Sequence, residues 1–309
     1  MDQEISEVST EELLEALLEI SAPLAPFDMP LLDAHGASLS EDIYAGERLV
    51  LRAGTRIRST QIGLAASIGL NRLPTRPHPR VVIISAGDDL VEPGQQLSTY
   101  EDEFETNSWM LTTAAREAGA TTYRVHMIPE NEEQLQTVIE DQLVRADLIV
   151  ISGESHDESF ELITSVLNKL GSVTSVIPRM SDTGRHNYGL IGPDQTPVVT
   201  LPGDPVAAYI SAEVFIRPMI RTMLGAKNIF RNKVTGTMKN TAPSSKGVRS
   251  FVRAVLTSDA SGYAVTALPD QSDLLALSDA NGLIMINEDR VSYEQGDLVE
   301  VLLMERSNN

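Results

Sequence analysis

The middle of the chain alternates runs of aliphatic, strand-forming residues with segments that have the spacing of amphipathic helices. Such alternation predicts a mostly parallel β-sheet with helices on both faces. Ligands of such folds bind beyond the carboxyl ends of the strands, so a functional site is expected in the turns that follow these runs. The strand-type runs lie at 81–84, 123–128, 148–151 and 198–201, and the helical patterns at 106–117, 132–144, 160–170 and 205–224.

The segments on either side of this region have different patterns. Ser9-Thr10-Glu11-Glu12 has the spacing of a capping box, and the leucines that follow predict a helix. Residues 29–57 have the pattern of short strands and turns, and the breaker-rich NRLPTRPHPR at 71–80 predicts a linker. Beyond Ala226, short β-type runs separated by turns predict a small all-β barrel or sandwich.

These patterns predict an α/β protein of three parts. Residues 1–75 would form an N-terminal helix and β segment, residues 76–228 the sheet domain, and residues 229–309 the C-terminal β domain. The formal net charge of −20 opposes binding to nucleic acid and to anionic membranes. The chain has no cysteine, no apolar run long enough to span a bilayer and an acidic N-terminus, which together predict a cytoplasmic protein.

Three of the predicted strand ends carry chemically interesting residues. They are Ser85-Ala86-Gly87-Asp88-Asp89-Leu90, Ser152-Gly153-Glu154-Ser155 and Leu201-Pro202-Gly203-Asp204-Pro205. The third suits a tight corner, with Asp204 as a helix N-cap and Pro205 at the first helical position. It equally suits an anion site at a helix N-terminus, and the motif alone does not decide between the two.

The polar residues at these ends offer a metal site but no histidine cluster. Asp88 and Asp89 are candidate Mg²⁺ ligands, because this ion takes one or two carboxylates together with substrate phosphates. The alternative is that one of them caps the following turn. Four of the five histidines lack the spacing of metal ligands and are interpreted as solvent or core residues; they are His78, His126, His156 and His186.

Together the strand ends resemble the molybdopterin molybdenumtransferase family, which comprises bacterial MoeA and the C-terminal part of gephyrin. SAGDDL at 85–90 resembles the family's STGDEL, and Glu105-Thr106-Asn107 resembles its Asp-Thr-Asn at a helix start. LPGDPVAA at 201–208 resembles LPGNPVSA, and AGTRI at 53–57 resembles the segment that precedes the sheet domain. The order of elements also matches over nearly the whole chain.

The resemblance implies a MogA-like sheet domain, a homodimer and a role in molybdenum cofactor assembly, with Mg²⁺ and molybdopterin as ligands. By analogy with gephyrin, it also suggests a protein peptide as partner at the dimer interface. The candidate ligand-binding residues are Ser85, Gly87, Asp88, Asn107, Ser152, Gly153, Arg179, Arg185, Pro202, Gly203 and Asp204.

The chain also departs from the family pattern at several places. The β-rich domain that the family inserts after its N-terminal elements is missing, since residues 38–43 run directly into residues 47–57. The family's SGGVSVG loop is reduced at 152–159, and its lysine-rich segment falls near 180–188, where the chain has no lysine. Arg179 and Arg185 are the cations left there, and Asp204 replaces the family's asparagine.

The retained family motifs and the departures from the family pattern leave two candidate functions. The first is a degenerate member of the family, a dimeric scaffold or regulatory binding protein without full transferase activity, which would need no cofactor. The second is a trimmed but active enzyme that inserts molybdate into adenylated molybdopterin with Mg²⁺, or a protein that only binds or stores the pterin. A hydrolase of the α/β type is set aside, because the chain has no Gly-x-Ser-x-Gly turn.

Overall fold

The computed structural model describes residues 5–87, 89–100, 102–128, 131–153, 157–260, 262–269 and 273–304. Among these residues, no helix is both long and apolar enough to cross a lipid bilayer. The helices are α1 (Thr10–Glu19), α2 (Ser59–Ser67), α3 (Asn107–Ala118), α4 (Glu132–Leu143), α5 (Asp157–Leu170), α6 (Pro205–Ser211), a π-helical turn (Ala212–Ile216), α7 (Arg217–Met223) and α8 (Leu274–Asp279).

The strands run from the N-terminus to the C-terminal barrel. They are β1 (Ser6–Val8), β2 (Phe27–Pro30), β3 (Ser38–Leu39), β4 (Ile43–Ala45), β5 (Arg48–Leu51), β6 (Arg72–Arg76), β7 (Arg80–Ala86), β8 (Leu90–Val91), β9 (Glu103–Phe104), β10 (Thr121–Ile128), β11 (Leu148–Ser152), β12 (Gly171–Pro178), β13 (His186–Ile191), β14 (Thr196–Leu201), β15 (Lys233–Met238), β16 (Ala242–Pro243), β17 (Ser250–Asp259), β18 (Gly262–Ala267), β19 (Gly282–Ile286), β20 (Ser292–Tyr293) and β21 (Leu298–Leu303).

A seven-stranded sheet with the order β1-β12-β13-β14-β11-β7-β10 forms the centre of the molecule. All neighbouring strands are parallel except β13, which is antiparallel to β12 and to β14. The predicted α/β class is therefore confirmed. The sheet also contains β12, β13 and β1, which the sequence did not predict as strands. Because β1 pairs with β12, the N-terminal strand belongs to the large sheet.

Helices cover both faces of this sheet, as predicted. Side chains of β7 alternate between the faces, so Val81 and Ile83 pack with α1, α3 and the α6–α7 segment. Val82 and Ile84 point the other way and pack with α4 and α5. Strands buried on both faces explain why the runs at 81–84 and 148–151 are continuously apolar.

The predicted helix over 205–224 is interrupted rather than continuous. It consists of α6, the π-helical turn at Ala212–Ile216, and α7. Pro218 has no amide hydrogen to donate to the carbonyl of Val214, so the regular hydrogen-bond ladder is broken at this point. The π-helical turn places Phe215, which is fully buried, in the core of the sheet domain.

The predicted linker at 71–80 is wrong, because β6 (Arg72–Arg76) occupies half of it. This strand lies between β2 and β3 in a small antiparallel sheet. Leu73 and Thr75 are fully buried there, and Leu73 joins a separate core with Leu39 and Ile57. Burial of alternate side chains outweighs the turn preference of the local prolines.

The hairpin β4–β5 lies where the resemblance implies a missing domain. Ala45 pairs with Arg48, so only Gly46 and Glu47 connect the two strands. Gly46 has φ +61°, the left-handed conformation that such short hairpin turns require. Within the described segment 5–87, no further folded unit lies between Ser40 and Ile57.

The C-terminal part is a closed barrel of β15, β18, β17, β19 and β21, which confirms the predicted small all-β domain. Arginines connect it to the sheet domain. Arg231 donates to both carboxylate oxygens of the buried Glu213, at 2.8 and 2.7 Å, and to the carbonyl of Met304 at 2.6 Å. A second contact involves β17 and the loop after β12. The domain limits at residues 75 and 228 stay predictions.

Candidate functional site

The turns after β7, β11 and β14 lie side by side at one edge of the sheet. Ser152 is in register with Ser85 on one side and with Leu201 on the other. Ser85 and Ser152 are 2% and 1% exposed, and Gly87 is buried directly beyond β7. We call the region bounded by these turns the strand-end site.

Asn107, the first residue of α3, ties two of these turns together. Its Nδ2 donates to Oγ of Ser152 and to the carbonyl of Gly203, both at 2.7 Å. Ser152 Oγ in turn donates to the carbonyl of Pro202 at 3.4 Å. We call these residues the Asn107 cluster. They confirm that the sequence motifs around 107, 152 and 202 meet at one place.

The amide oxygen of Asn107 is left without a partner among the described residues. The side chain is 8% exposed, and Oδ1 is inaccessible and accepts no hydrogen bond there. A buried carbonyl oxygen without a donor is costly, and such groups are normally satisfied by water or a ligand. Asn107 Oδ1 is therefore a candidate acceptor for a hydrogen-bond donor at this edge.

A buried acidic residue anchors the start of α3. Glu105 is 1% exposed and accepts from the backbone N–H and Oγ of Ser108, at 2.7 and 2.6 Å. Arg124 Nη1 lies 3.4 Å from Glu105, its Nη2 lies 2.8 Å from Glu92, and its guanidinium stacks on Trp109 at 4.1 Å. The sequence predicted none of the roles of Glu92, Trp109 and Arg124, because these residues are far apart in the chain.

The two candidate arginines lie in the loop between β12 and β13, residues 179–185. Arg179 is exposed, its backbone N–H donates to the carbonyl of Val8 at 2.8 Å, and its charge acts on Glu12. Arg185 is 3.5 Å from Glu161 and lies over the ring of Phe160 at 5.5 Å. Arg185 thus lies against α5, the helix that follows β11, and it already faces a carboxylate.

The same loop packs against the corner after β14. A Cβ on Gly184 would lie 3.6 Å from Cβ of Pro202, so the backbone of the loop is in close contact with the corner. Gly153, after β11, is more tightly confined, since a Cβ there would come within 2.9 Å of Ile163. Residues 154–156 lie outside the described residues.

The corner at residues 201–205 has the structure of a tight strand-to-helix turn, the first of the two interpretations of its sequence. Asp204 is the N-cap of α6, and its Oδ1 accepts from the backbone N–H of Ala207 at 2.8 Å. Pro205 takes the first helical position. The carboxylate thus satisfies a helix N–H that would otherwise attract an anion, and its charge opposes one.

His186 begins β13 and is a core residue, one of the two alternatives from the sequence. It is fully buried, its Nδ1 donates to the carbonyl of Gly184 at 2.9 Å, and its ring meets Phe215 edge-on at 5.8 Å. Burial lowers the pKa of His186 to about 4, so the ring is neutral at physiological pH. The side chain of His126, and all of His156, lie outside what the structure describes.

The structure describes only one of the two proposed magnesium ligands. Asp88 lies outside the described residues, whereas Asp89 is exposed and its backbone carbonyl accepts from Glu103 N–H at 2.9 Å. In the described part of the chain, no group of three His, Cys, Asp or Glu residues could hold a metal ion.

Comparison with known families agrees with this architecture. Residues 82–222 match the model of a probable molybdopterin binding domain, and residues 235–304 match the MoeA C-terminal region, domain IV. The fold is similar to the molybdopterin biosynthesis MoeA protein of Pyrococcus horikoshii, with a TM-score of 0.81, 19% identity and coverage of 97% of this chain and 100% of that one.

Two proteins of Mycobacterium tuberculosis are similar in sequence. Molybdopterin molybdenumtransferase 1 is 31% identical over 271 residues, which cover 85% of this chain and 63% of that protein. Molybdopterin molybdenumtransferase 2 is 33% identical over 267 residues, covering 84% and 65%. The chain thus spans less than two thirds of the length of these relatives. It belongs to the MoeA family and is a MoeA-like protein of molybdenum cofactor biosynthesis.

Proposed function

We propose that this chain binds molybdopterin, or its adenylated form, at the strand-end site and acts as a binding or regulatory protein that does not complete metal transfer. The observation that carries the proposal is the Asn107 cluster. It presents a buried amide oxygen without a donor between two glycine-containing turns. A pterin offers N–H groups that such an oxygen can accept.

The charges at the site support the second half of the proposal. Arg185 faces Glu161, which is 67% exposed, and a ligand phosphate could exchange with this weakly held carboxylate. Arg253 of the barrel faces Asp182, but Arg253 is fully buried, so that pair is not open to exchange. Among the described residues, Arg185 is therefore an arginine whose exposed carboxylate partner a phosphate could replace, and the charge of Asp204 opposes a second anion, such as molybdate.

The active transferase remains the second candidate. It is favoured by the identity of 31% and 33% to the two mycobacterial proteins that carry this name. The two candidates share pterin binding and differ in the transfer step.

Binding is tested by calorimetric titration with molybdopterin and with adenylated molybdopterin. We expect a single site in the wild type and an affinity at least about tenfold lower in Asn107→Ala. Asn168→Ala, at an exposed position of α5, is the matched control and should bind as the wild type does. An absence of heat and of any shift in melting temperature would refute the proposal.

Transfer is tested separately, in a strain that lacks the transferase. We expect expression of this chain to leave molybdoenzyme activity unrestored even when the purified protein binds the pterin. Restored activity would decide for the transferase.

We also propose a homodimer with two-fold symmetry, with a protein segment as a further partner at its interface. The support is the resemblance to MoeA and gephyrin, and closed two-fold assemblies are the commonest homo-oligomers. Sedimentation velocity at micromolar concentration should give the mass of two chains of 33.6 kDa. A single species with the mass of one chain would contradict it.

A further inference from the structure

We propose that Arg253 of the barrel is a positioning residue for the strand-end site: it fixes the second half of the 179–185 loop through Asp182 and thereby places Arg185. The inference rests on the proposed function, because it assigns to the barrel the placement of Arg185, the arginine proposed to receive a phosphate. Arg253 and Asp182 are separated by 71 residues in the chain.

Arg253 is buried without any exposed surface, which is unusual for an arginine. It lies on β17, and its Nη1 donates to Oδ2 of Asp182 at 3.1 Å. A guanidinium taken out of water is tolerated when it is paired and hydrogen-bonded. The pair is therefore a constraint on both partners, and the partner that can move is the loop.

Asp182 is held in an uncommon backbone conformation. Its φ is +48°, in the left-handed region that residues other than glycine rarely adopt. Such a conformation persists where surrounding contacts determine it. The ion pair with Arg253 is a contact of this kind, and Asp182 lies three residues before Arg185.

The first half of the loop is held differently, by backbone bonds. Arg249 N–H donates to the carbonyl of Arg179 at 3.0 Å, and Ser181 N–H donates to the carbonyl of Arg249 at 2.8 Å. These bonds do not depend on the side chain of Arg253. Its effect is therefore confined to the segment from Asp182 onwards.

The second half of the loop transmits that effect to the site. Gly184 packs against Pro202 of the Asn107 cluster, and its carbonyl accepts from His186. Arg185 then reaches Phe160 and Glu161 on α5. A displacement at Asp182 would change both the contact with Pro202 and the position of the Arg185 guanidinium.

Arg249, which directly precedes β17, provides a matched control. Its side chain is ion-paired with Glu11 and with Glu288, the latter at 3.1 Å, and does not contact Asp182. Arg249→Met and Arg253→Met are therefore the same substitution in the same interface, and only the second releases the loop. Asp182→Asn keeps a residue that tolerates positive φ and removes the carboxylate.

The first test needs no ligand. Trypsin cleaves after Arg185, so native-state cleavage of the Arg185–His186 bond reports how firmly the loop is held. At equal distance below each melting temperature, we expect cleavage about tenfold faster in Arg253→Met and in Asp182→Asn, and within about twofold of wild type in Arg249→Met. Equal rates in all four proteins would overturn the inference, whether or not the pterin binds.

The second test is a double-mutant cycle on pterin affinity. If Arg253 acts through Arg185, then Arg185→Ala weakens binding in the wild-type background and has little further effect in Arg253→Met. Additive losses would show that Arg253 supports only the fold. If Arg253→Met does not fold, Asp182→Asn replaces it in the cycle. If the wild type binds the pterin but the cleavage rates of all variants are equal, only the positioning role of Arg253 is refuted. If the wild type does not bind the pterin, only the proposed function is refuted.

Discussion

The two sides of the strand-end site are built from different interactions. On the side of α3, Asn107, Ser152 and Gly203 form neutral, buried hydrogen bonds within the sheet domain. On the side of the 179–185 loop, position depends on Asp182 and a barrel arginine in an ion pair. The neutral side is fixed by hydrogen bonds within the sheet domain. The charged side depends on an ion pair with the barrel, which salt weakens.

The largest expected effect concerns the charged side, at His186. Its pKa is lowered to about 4, whereas an unfolded chain has the usual value of 6.5. Between these values the unfolded state binds a proton that the folded state excludes. The contribution of the neutral His186 ring to stability is therefore fully present above pH 6.5. As the pH falls from 6.5 to 4, the free energy of unfolding decreases by about 3 kcal/mol.

Urea unfolding at several pH values between 7 and 4 measures this loss. His186→Phe keeps an aromatic ring against Phe215 and cannot titrate, so its stability should fall less over the same range. Because both proteins share all other titrating groups, the difference between them isolates His186. Parallel curves would contradict the prediction.

The next effect concerns Glu105, the buried carboxylate that anchors the start of α3 on the other side of the site. In Glu105→Gln the side chain keeps its shape but loses the charge that accepts from Ser108 and Arg124. We expect a loss of about 2 kcal/mol in unfolding free energy. Glu103→Gln, at an exposed position of β9, should change it by less than about 0.5 kcal/mol. Equal effects would show that burial of Glu105 is not what matters.

A smaller effect is expected at Asp204, where capping and charge can be separated. Asp204→Ala removes the cap of α6 and should cost about 1 kcal/mol, whereas Asp204→Asn keeps a good cap. The same Asn variant removes a negative charge, so affinity for the phosphate-bearing pterin should rise about two- to fivefold. Thermal unfolding and titration of both variants check these outcomes, and equal melting temperatures would refute the capping role.

The smallest effect is expected at Glu161, the exposed partner of Arg185. Glu161→Gln should leave the unfolding free energy within about 0.5 kcal/mol, because the pair is exposed and 3.5 Å long. Pterin affinity should increase by about twofold, because one carboxylate that competes with a phosphate for Arg185 is removed. Glu133→Gln on α4 is the control. A lower affinity would mean that Glu161 holds Arg185 in its binding position.

The sequence predicted one of these two sides better than the other. The turns around Ser152 and Pro202 and the helix start at Asn107 follow from local patterns, because parallel strands bring their carboxyl ends to one edge. The charged side depends on Asp182 meeting Arg253, and no local pattern encodes a pair so distant in sequence. β13 was missed for a different reason: it forms a hairpin with the adjacent β14, but its sequence HNYGLI is not the continuous apolar run that marks the other central strands.

The hairpin β4–β5 has a consequence for how this protein can change in evolution. In the N-terminal segment, the two ends of the turn between β4 and β5 are the paired residues Ala45 and Arg48. A folded unit spliced between them would start and finish at neighbouring points, so its gain or loss would alter little beyond the entropy of closing a loop, about 0.6 kcal/mol for each doubling of length. The architecture is thus modular at this seam, and the scaffold that carries the strand-end site can be inherited with or without such a unit.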